Sequence, residues 1–591
     1  MREFVASTPK YETYLPGRTD WDTNWLATVR NLKMQVPVAR NGSLVRQLIG
    51  LLAVPILIVA MAKGLAAQTE KTSGEGQITA TIYVAQNDPR ATDSNPGTRI
   101  LPVLTLNRAL MLATRNLQER IATRILVARG VYRESLTLRN LQQYGDTPLV
   151  LEAEAKGQAV ITGSERWTDW KKIGVDLYVH PWNLNWGLGP YPAGWEKQNL
   201  APIIRRREMV FVGDSSFHQA LSMVELQSSD RSFFVSEPEH RIYVRLPSER
   251  GSESSDIEVT TRSTLLEAQG MHNLTLRGLV FEHAGSSIDE AAVSLDNCDK
   301  VVIDRCEFRW NNWTGLSLRS SRDVSAFDNE ASYNGGAGMT LWRMKNIDFE
   351  SNETSFNNWR GELGGFRGWA VAGIKSLRIH NGIFRKHRAV DNHARGFWLD
   401  FDCANVTVED GFFCRNASDG AFVEGSQGPI DINKSIICHN QKGLVIANSP
   451  NATLRQNIVY GNAGAQILVG GEAGGRLTTD WETNRAMVLD TLRLKLVSNA
   501  VVAQPGQQLM VIQLTSDQTR SLLSSLTSNE NTWYGPTDQA LFEVAGKRMD
   551  FASWREIGGQ DSNSKFQDPL FVDPEHDNFE LRSGSPLARG H

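Results

Sequence analysis

Gly396-Phe-Trp-Leu-Asp400 and Gly420-Ala-Phe-Val-Glu424 place a carboxylate four residues after a glycine in two consecutive copies of one internal repeat. The opening glycines are Gly315, Gly338, Gly361, Gly396, Gly420 and Gly443, separated by 23, 23, 35, 24 and 23 positions. A period in this range is the signature of a solenoid. A second ladder runs ahead of the glycines at Asn311, Asn334, Asn357, Asn392, Asn416 and Asn440. Asparagine tolerates left-handed and turn conformations and bonds to nearby backbone, which suits one corner of every coil. Between corners lie short alternating segments such as Val301-Val-Ile303, Leu316-Ser-Leu318, Leu377-Arg-Ile379, Val406-Thr-Val408, Ile430-Asp-Ile432 and Leu444-Val-Ile446. They are too short for helices and lack the tight two-residue turns of a hairpin sandwich. Coils of about 23 residues with three short strands predict an all-β, right-handed parallel β-helix, each coil burying its apolar side against its neighbours.

Of the 591 residues 41% are hydrophobic, and the net charge is −4. No basic footprint points to nucleic acid. Residues 48–62 form an apolar run preceded by Arg40 and Arg46 and followed by Ala-Lys-Gly-Leu-Ala-Ala-Gln68. The run is short for a membrane span and suits a signal peptide cleaved near Ala66 or Ala67. Its leader is long, so Met34 is a candidate true start; the competing reading is an uncleaved signal anchor, the chain's one expected membrane contact. Either way the repeat domain is expected to be exported. Five cysteines (Cys298, Cys306, Cys403, Cys414 and Cys438) are too few and irregular for a disulfide framework or zinc site. Cys414 and Cys438 hold equivalent repeat positions and are expected to stack as buried thiols, with a disulfide as the alternative in an oxidising compartment.

The expected organisation is a leader over 1–68, a linker over 69–80, N-terminal coils with a capping helix from about Thr105 to Arg120 over 81–165, an inserted small β domain over 166–261, central repeats over 262–471 and irregular closing coils over 472–591. The helix would cover the open end of the solenoid, where unpaired strand edges otherwise invite aggregation. The insertion, rich in Trp, Pro and Arg, is a candidate wall for a groove. This order, with Asp568-Pro-Leu-Phe-Val-Asp-Pro574 near the end, is similar to secreted β-helix proteins of the pectate-lyase superfamily.

The carboxylate strands read Arg395-Gly-Phe-Trp-Leu-Asp-Phe-Asp402 and Ala421-Phe-Val-Glu-Gly-Ser-Gln-Gly-Pro429. Alternation puts Trp398, Asp400 and Asp402 on one outward face, with Leu399 and Phe401 inward. With their spacing, these stretches resemble the β-helix glycoside hydrolases of the β-xylosidase type, which carry a Gly-Ile-Trp-Leu-Asp strand followed one coil later by Phe-Val-Glu and Gly-Pro. The resemblance implies Asp400 as nucleophile and Glu424 as acid/base; Phe401-Asp402-Cys403 departs from that pattern and leaves Asp402 a competing nucleophile. The chemistry agrees independently, because carboxyls on adjacent rungs suit a retaining mechanism, and two close carboxylates cannot ionise equally. Like charges stacked on neighbouring strands destabilise, which argues against chance placement on an inert surface.

Six of the sixteen tryptophans fall within 89 positions of one another, Trp310, Trp313, Trp342, Trp359, Trp369 and Trp398. Trp310 and Trp313 suit core or corner; Trp398, Trp342, Trp359 and Trp369 are candidate sugar platforms. The 35-residue gap between Gly361 and Gly396 carries Glu362-Leu-Gly-Gly-Phe-Arg-Gly-Trp369 and Gly373-Ile-Lys375, read as a binding loop beside the Asp400 coil. Glu362, Lys375, His393 and Arg395 are further candidate contacts to a poly- or oligosaccharide. A polysaccharide lyase or uronate epimerase, with Lys375, Lys386, His387 or His393 as base, is one alternative; a non-catalytic glycan-binding surface protein is another. No motif calls for a cofactor or metal.

Overall fold

The computed structural model describes residues 78–139, 145–213, 215–247 and 256–587. The apolar run 48–62, Met34 and all of the leader and linker before residue 78 lie outside the described residues. Among the described residues no helix is long and apolar enough to cross a membrane.

The helix α1 (Leu106–Gln118) presents Leu106, Ala109, Leu110, Ala113 and Leu117 on one buried stripe, the i, i+3, i+4 spacing of an amphipathic helix. Thr105 caps it, accepting a hydrogen bond from the Arg108 N–H, and the Glu134 carboxylate accepts from the N–H groups of Leu106 and Asn107. The stripe joins the same core as Ile82, Val84, Ile125 and Val127 of the first two coils.

Each regular coil contributes three strands, as Ala291–Asp296, Asp299–Asp304 and Glu307–Arg309 do, and each strand pairs in parallel with its counterpart one coil on. The strands that matter for function are β1 (Met339–Glu350), β2 (Ala372–Arg385), β3 (Arg395–Asp400) and β4 (Asp419–Glu424). Their register lines up Met339, Ile374, Phe397, Ala421 and Leu444 as one buried column, the aliphatic and aromatic ladder of the interior. The coils continue past the regular repeats through Gln508–Gln513 and Phe542–Val544. Between Ala465–Gly470 and Lys495–Val497 an antiparallel hairpin projects, β5 (Arg476–Thr479) and β6 (Ala486–Leu489). Between Ala159–Thr162 and Leu266–Gln269 the chain builds two small, largely antiparallel sheets with their own core of Trp170, Tyr178, Trp182, Phe233 and Ile242.

The asparagine ladder is continuous and buried. Each side-chain amide donates to the Oδ1 one coil on, Asn311 to Asn334 at 3.0 Å, Asn334 to Asn357 at 3.0 Å, Asn357 to Asn392 at 2.9 Å, Asn392 to Asn416 at 2.8 Å and Asn416 to Asn440 at 2.9 Å. The left-handed residues are those preceding the asparagines, Trp310, Tyr333, Phe356, Asp391, Arg415 and His439, so asparagine is used for its amide rather than its φ tolerance. The ladder also explains the glycines. A Cβ on Gly396 would stand 2.6 Å from Asn416 Nδ2 and 2.7 Å from the Gly420 carbonyl.

Gly361 does not belong to that stack. Gly373 does, its would-be Cβ lying 2.8 Å from Asn392 Nδ2, whereas Gly361 sits in a short helix, Trp359–Leu363. The insertion therefore lies between Asn357 and Gly373, and Lys375 is on a regular strand rather than in a loop. Cys414 and Cys438 also differ from the expectation of free thiols: they form a disulfide, with Cα atoms 4.6 Å apart. They are register partners whose side chains face out of the coil into a cluster with Phe571, Phe579 and Leu587, where adjacent rungs hold the two sulfurs side by side.

Candidate active site

Asp400 and Glu424 end β3 and β4 and are direct register partners. Neighbouring strands stand about 4.7–4.9 Å apart, so the ladder sets the spacing of the two carboxylates. Leu399 and Val423 point into the core beside them, which fixes Asp400 and Glu424 outward. The same file continues backwards through Leu377 to Trp342 and Arg319.

Each carboxylate has its own cation. Lys375 Nζ lies 3.0 Å from Asp400 Oδ2 and donates to the Trp369 carbonyl at 2.7 Å; Asp400 is 4% exposed and Lys375 7%. Asp400 Oδ1 is buried without a hydrogen-bond partner among the described residues, while Oδ2 carries the Lys375 contact. Arg476, from the hairpin, forms an ion pair with Glu424 Oε1 and stacks 4.0 Å over the Phe401 ring. Burial and then the adjacent Asp400 charge push the Glu424 carboxyl above the usual range, while Arg476 and Lys375 pull it back. Burial pushes the Lys375 ammonium below its ordinary range, against the pull of Asp400 and Glu424.

Trp398 faces outward as alternation requires, yet it is only 3% exposed. Lys375 lies 3.6 Å and Arg395 4.3 Å from its ring centroid, and Phe422 stacks on it at 5.6 Å. The ring is thus a floor beneath the cations rather than an open sugar platform. Arg395 also donates to Asp419 at 2.8 Å. Trp342 remains half-buried on the outward face, two strand spacings from Asp400 and 4.6 Å from the Arg343 guanidinium. Beyond it, on the same face, Glu267, Asp289, Asp296 and Arg319 line a cavity of 280 Å³.

Asp402 differs most from the sequence reading. Phe401 and Asp402 both have left-handed φ, 45° and 53°, so alternation stops at Asp400 and Phe401 does not join the interior column. Asp402 is fully buried; Oδ1 accepts from Gln427 Nε2 at 2.5 Å and Oδ2 from the Trp481 N–H at 2.7 Å. With both oxygens engaged it is no competitor of Asp400 for nucleophilic attack. His380, Asp402 and Asp480 bring one potential metal-ligand atom each within 4.8 Å of the others; Gln427 donates to both carboxylates, and His380 bonds to the Asp402 carbonyl.

Among the insertion residues, Trp369 is 41% exposed, packs 4.6 Å from Trp195 of the inserted domain and meets the site through its carbonyl. The inserted domain thereby forms one wall beside Lys375. Glu362 pairs with Arg367 within the insertion. Trp359 donates to the Tyr333 carbonyl at 2.9 Å at the opposite corner, and His393 is tied there by its backbone to Asn357 and Asn358. Trp310 stacks on Tyr333 and Trp313 is buried, the corner and core roles expected of them. His387 is enclosed beside Phe397 and Phe413, and burial pushes its imidazole down to about 3, which removes it as a base facing substrate.

The family described as right handed beta helix region matches residues 291–480. No curated protein matches the sequence. Among solved structures, a complex of XylC with xylose superimposes with a TM-score of 0.62 at 14% identity, covering 83% of this chain and 87% of that one. The A-module of the Azotobacter vinelandii mannuronan C-5 epimerase AlgE6 gives 0.45 at 13% identity over 79% and 96%. A glycoside hydrolase gives 0.44 at 13% identity over 85% and 99%. Stacked parallel coils, their ladders, the family match and the superposition on the XylC complex converge: the chain is a right-handed parallel β-helix protein.

Proposed function

We propose that this protein is an exported carbohydrate-active enzyme, a retaining glycoside hydrolase of a poly- or oligosaccharide, with Asp400 as nucleophile and Glu424 as acid/base. The observation that carries the reading is the register pairing of Asp400 with Glu424. It sets two carboxylates near the separation of about 5–5.5 Å that retaining enzymes use. Lys375 holds the Asp400 carboxylate in place, and a carboxylate oxygen attacks the anomeric carbon; the glycosidic C–O bond breaks and the Glu424 proton passes to the departing oxygen. Water then attacks the glycosyl ester, Glu424 takes its proton and the Asp400 carboxylate is released.

A lyase or epimerase must neutralise a substrate carboxylate, whereas Lys375 and Arg476 are already committed to Asp400 and Glu424. The disulfide supports export, since such bonds persist in oxidising compartments. The solved relative that superimposes on most of the chain holds xylose, a neutral sugar, in keeping with this reading.

The test is product release from aryl glycosides and plant or algal oligosaccharides by the wild type, Asp400→Asn and Glu424→Gln. Sugar released with retained anomeric configuration, and lost in both variants, is the expected result. Unsaturated products absorbing in the ultraviolet would mean a lyase, and glycan binding unchanged in both variants without cleavage would mean a binding protein.

A further inference from the structure

We infer that Arg476 is a positioning residue for Glu424, brought to it by the β5–β6 hairpin, which Asp402 and His380 clamp onto the β-helix. The inference rests on the hydrolase reading of the carboxylate pair.

The hairpin is not part of the repeat, yet it is fastened at both ends. At its tip Asp480 closes the turn by accepting from the N–H groups of Glu482 and Thr483, and its other oxygen accepts from Gln427 at 3.0 Å. Asp402 reaches the Trp481 N–H, and Gln427 bridges Asp402 and Asp480. His380 sits between the Asp402 carbonyl at 3.1 Å and the Glu482 carboxylate at 2.8 Å, and Lys345 holds Glu482 at 2.6 Å. At its base Asn448 accepts from the Glu472 N–H at 3.1 Å, and Gln518 donates to the Glu472 carbonyl and the Asp490 carboxylate. The guanidinium is then guided by Glu472 at 3.5 Å and by the Phe401 ring beneath it. An arginine on a free hairpin would lose side-chain entropy to hold such a pair; this one is braced on several sides.

This gives Asp402 a purpose that its place after the nucleophile strand conceals. The second left-handed residue of the Phe401-Asp402 corner turns the carboxylate away from substrate and towards the hairpin. Coils on either side manage this corner with a single left-handed residue, Arg378 before it and Gly425 after it.

Three charged groups bear on Glu424: Asp400 opposes its ionisation, and Arg476 and Lys375 favour it. When attack turns Asp400 into a neutral ester, the opposition disappears while Arg476 remains. Glu424, having just given up its proton, is then held as the base that the second step requires. Arg476 thus favours the change of role between the two halves of the reaction.

Activity that needs protonated Glu424 falls as pH rises through its titration. Removing a cation within ion-pair distance raises a carboxyl by about 1–3 units, so Arg476→Met is expected to move the alkaline limb of kcat/KM upward by about one unit or more, and Arg476→Lys by less. Asp402→Asn, which does not touch Glu424, is expected to move the limb the same way, and the Arg476→Met/Asp402→Asn double variant no further than Arg476→Met alone. An unmoved limb in Arg476→Met overturns the inference; stability lost in Asp402→Asn without a shift overturns the clamp. The same titration is read without substrate from the carbon-13 shift of side-chain-labelled glutamate, assigned against Glu424→Gln. A shift there in a protein that cleaves no glycoside would leave the Arg476–Glu424 linkage standing and the hydrolase reading fallen; cleavage without any shift would do the reverse.

Discussion

Asn392 stands at the corner that leads into the Asp400 strand, and its side chain makes four hydrogen bonds. Its Oδ1 accepts from the Asn357 backbone N–H at 3.1 Å and side-chain amide at 2.9 Å; its Nδ2 donates to the Thr354 carbonyl at 2.9 Å and Asn416 Oδ1 at 2.8 Å. Asn392→Ala removes all four. The Asn357 amide keeps the Ala331 carbonyl and Asn416 Oδ1 keeps the Asn392 N–H, but the buried Asn357 backbone N–H loses its acceptor. One orphaned donor costs about 1–3 kcal/mol and three further bonds about 1 kcal/mol each, giving about 4–6 kcal/mol. A whole domain is typically stable by about 5–15 kcal/mol, so the variant should be close to unfolding. Asn405→Ala is the surface comparison: its amide donates to Asn381 Oδ1 at 2.9 Å, and because its φ of 54° suits asparagine better than alanine the loss should be about 1–2 kcal/mol, most of it backbone strain. Urea unfolding followed by far-ultraviolet ellipticity measures both. A loss below about 2 kcal/mol at Asn392, or equal losses at the two positions, would refute the claim that burial gives the ladder its strength.

Lys375→Met leaves the Asp400 carboxylate buried without its cation and should destabilise by about 3–5 kcal/mol, read as a lowered urea midpoint. Burial opposes charge on His380, but Asp402 and Glu482 outweigh it and hold the imidazole above its usual range. Its contribution to stability is complete below the unfolded-state value of about 6.5 and is lost as pH rises through the higher folded-state value. Urea midpoints should therefore fall as pH rises above about 6.5 in the wild type, and less so in His380→Gln. The Cys414–Cys438 disulfide closes a 24-residue separation, and reducing it should cost about 3 kcal/mol, seen as a lower midpoint in reductant that is absent from a Cys414→Ala/Cys438→Ala variant.

The solenoid was legible because its chemistry repeats: glycine and asparagine recur where an amide must approach backbone, and Trp398 and Asp400 share parity because the strand between them is regular. What the sequence concealed lies where repetition stops. Gly361 and Gly373 look alike on paper, and only the partner across the corner shows which one is stacked. Asp402 follows Asp400 at strand spacing, and nothing local announces that Phe401 and Asp402 are both left-handed. Arg476 is 52 positions beyond Glu424 in a hairpin outside the period, so its role depends on a fold-back that no spacing encodes. Trp398 pointed the expected way, but neighbouring cations that only three-dimensional packing supplies cover its face.

Because the carboxylates sit on rungs of one ladder, their separation can change only in whole steps. A further coil between Asp400 and Glu424 would set them two spacings apart, about 9.6 Å, at the wide edge of the range used for inversion of configuration. Added coils before Asn311 would leave the pair untouched. On the proposed hydrolase reading the stereochemical outcome of such a scaffold would be quantised, and a one-coil duplication between the pair would switch it with both carboxylates unchanged.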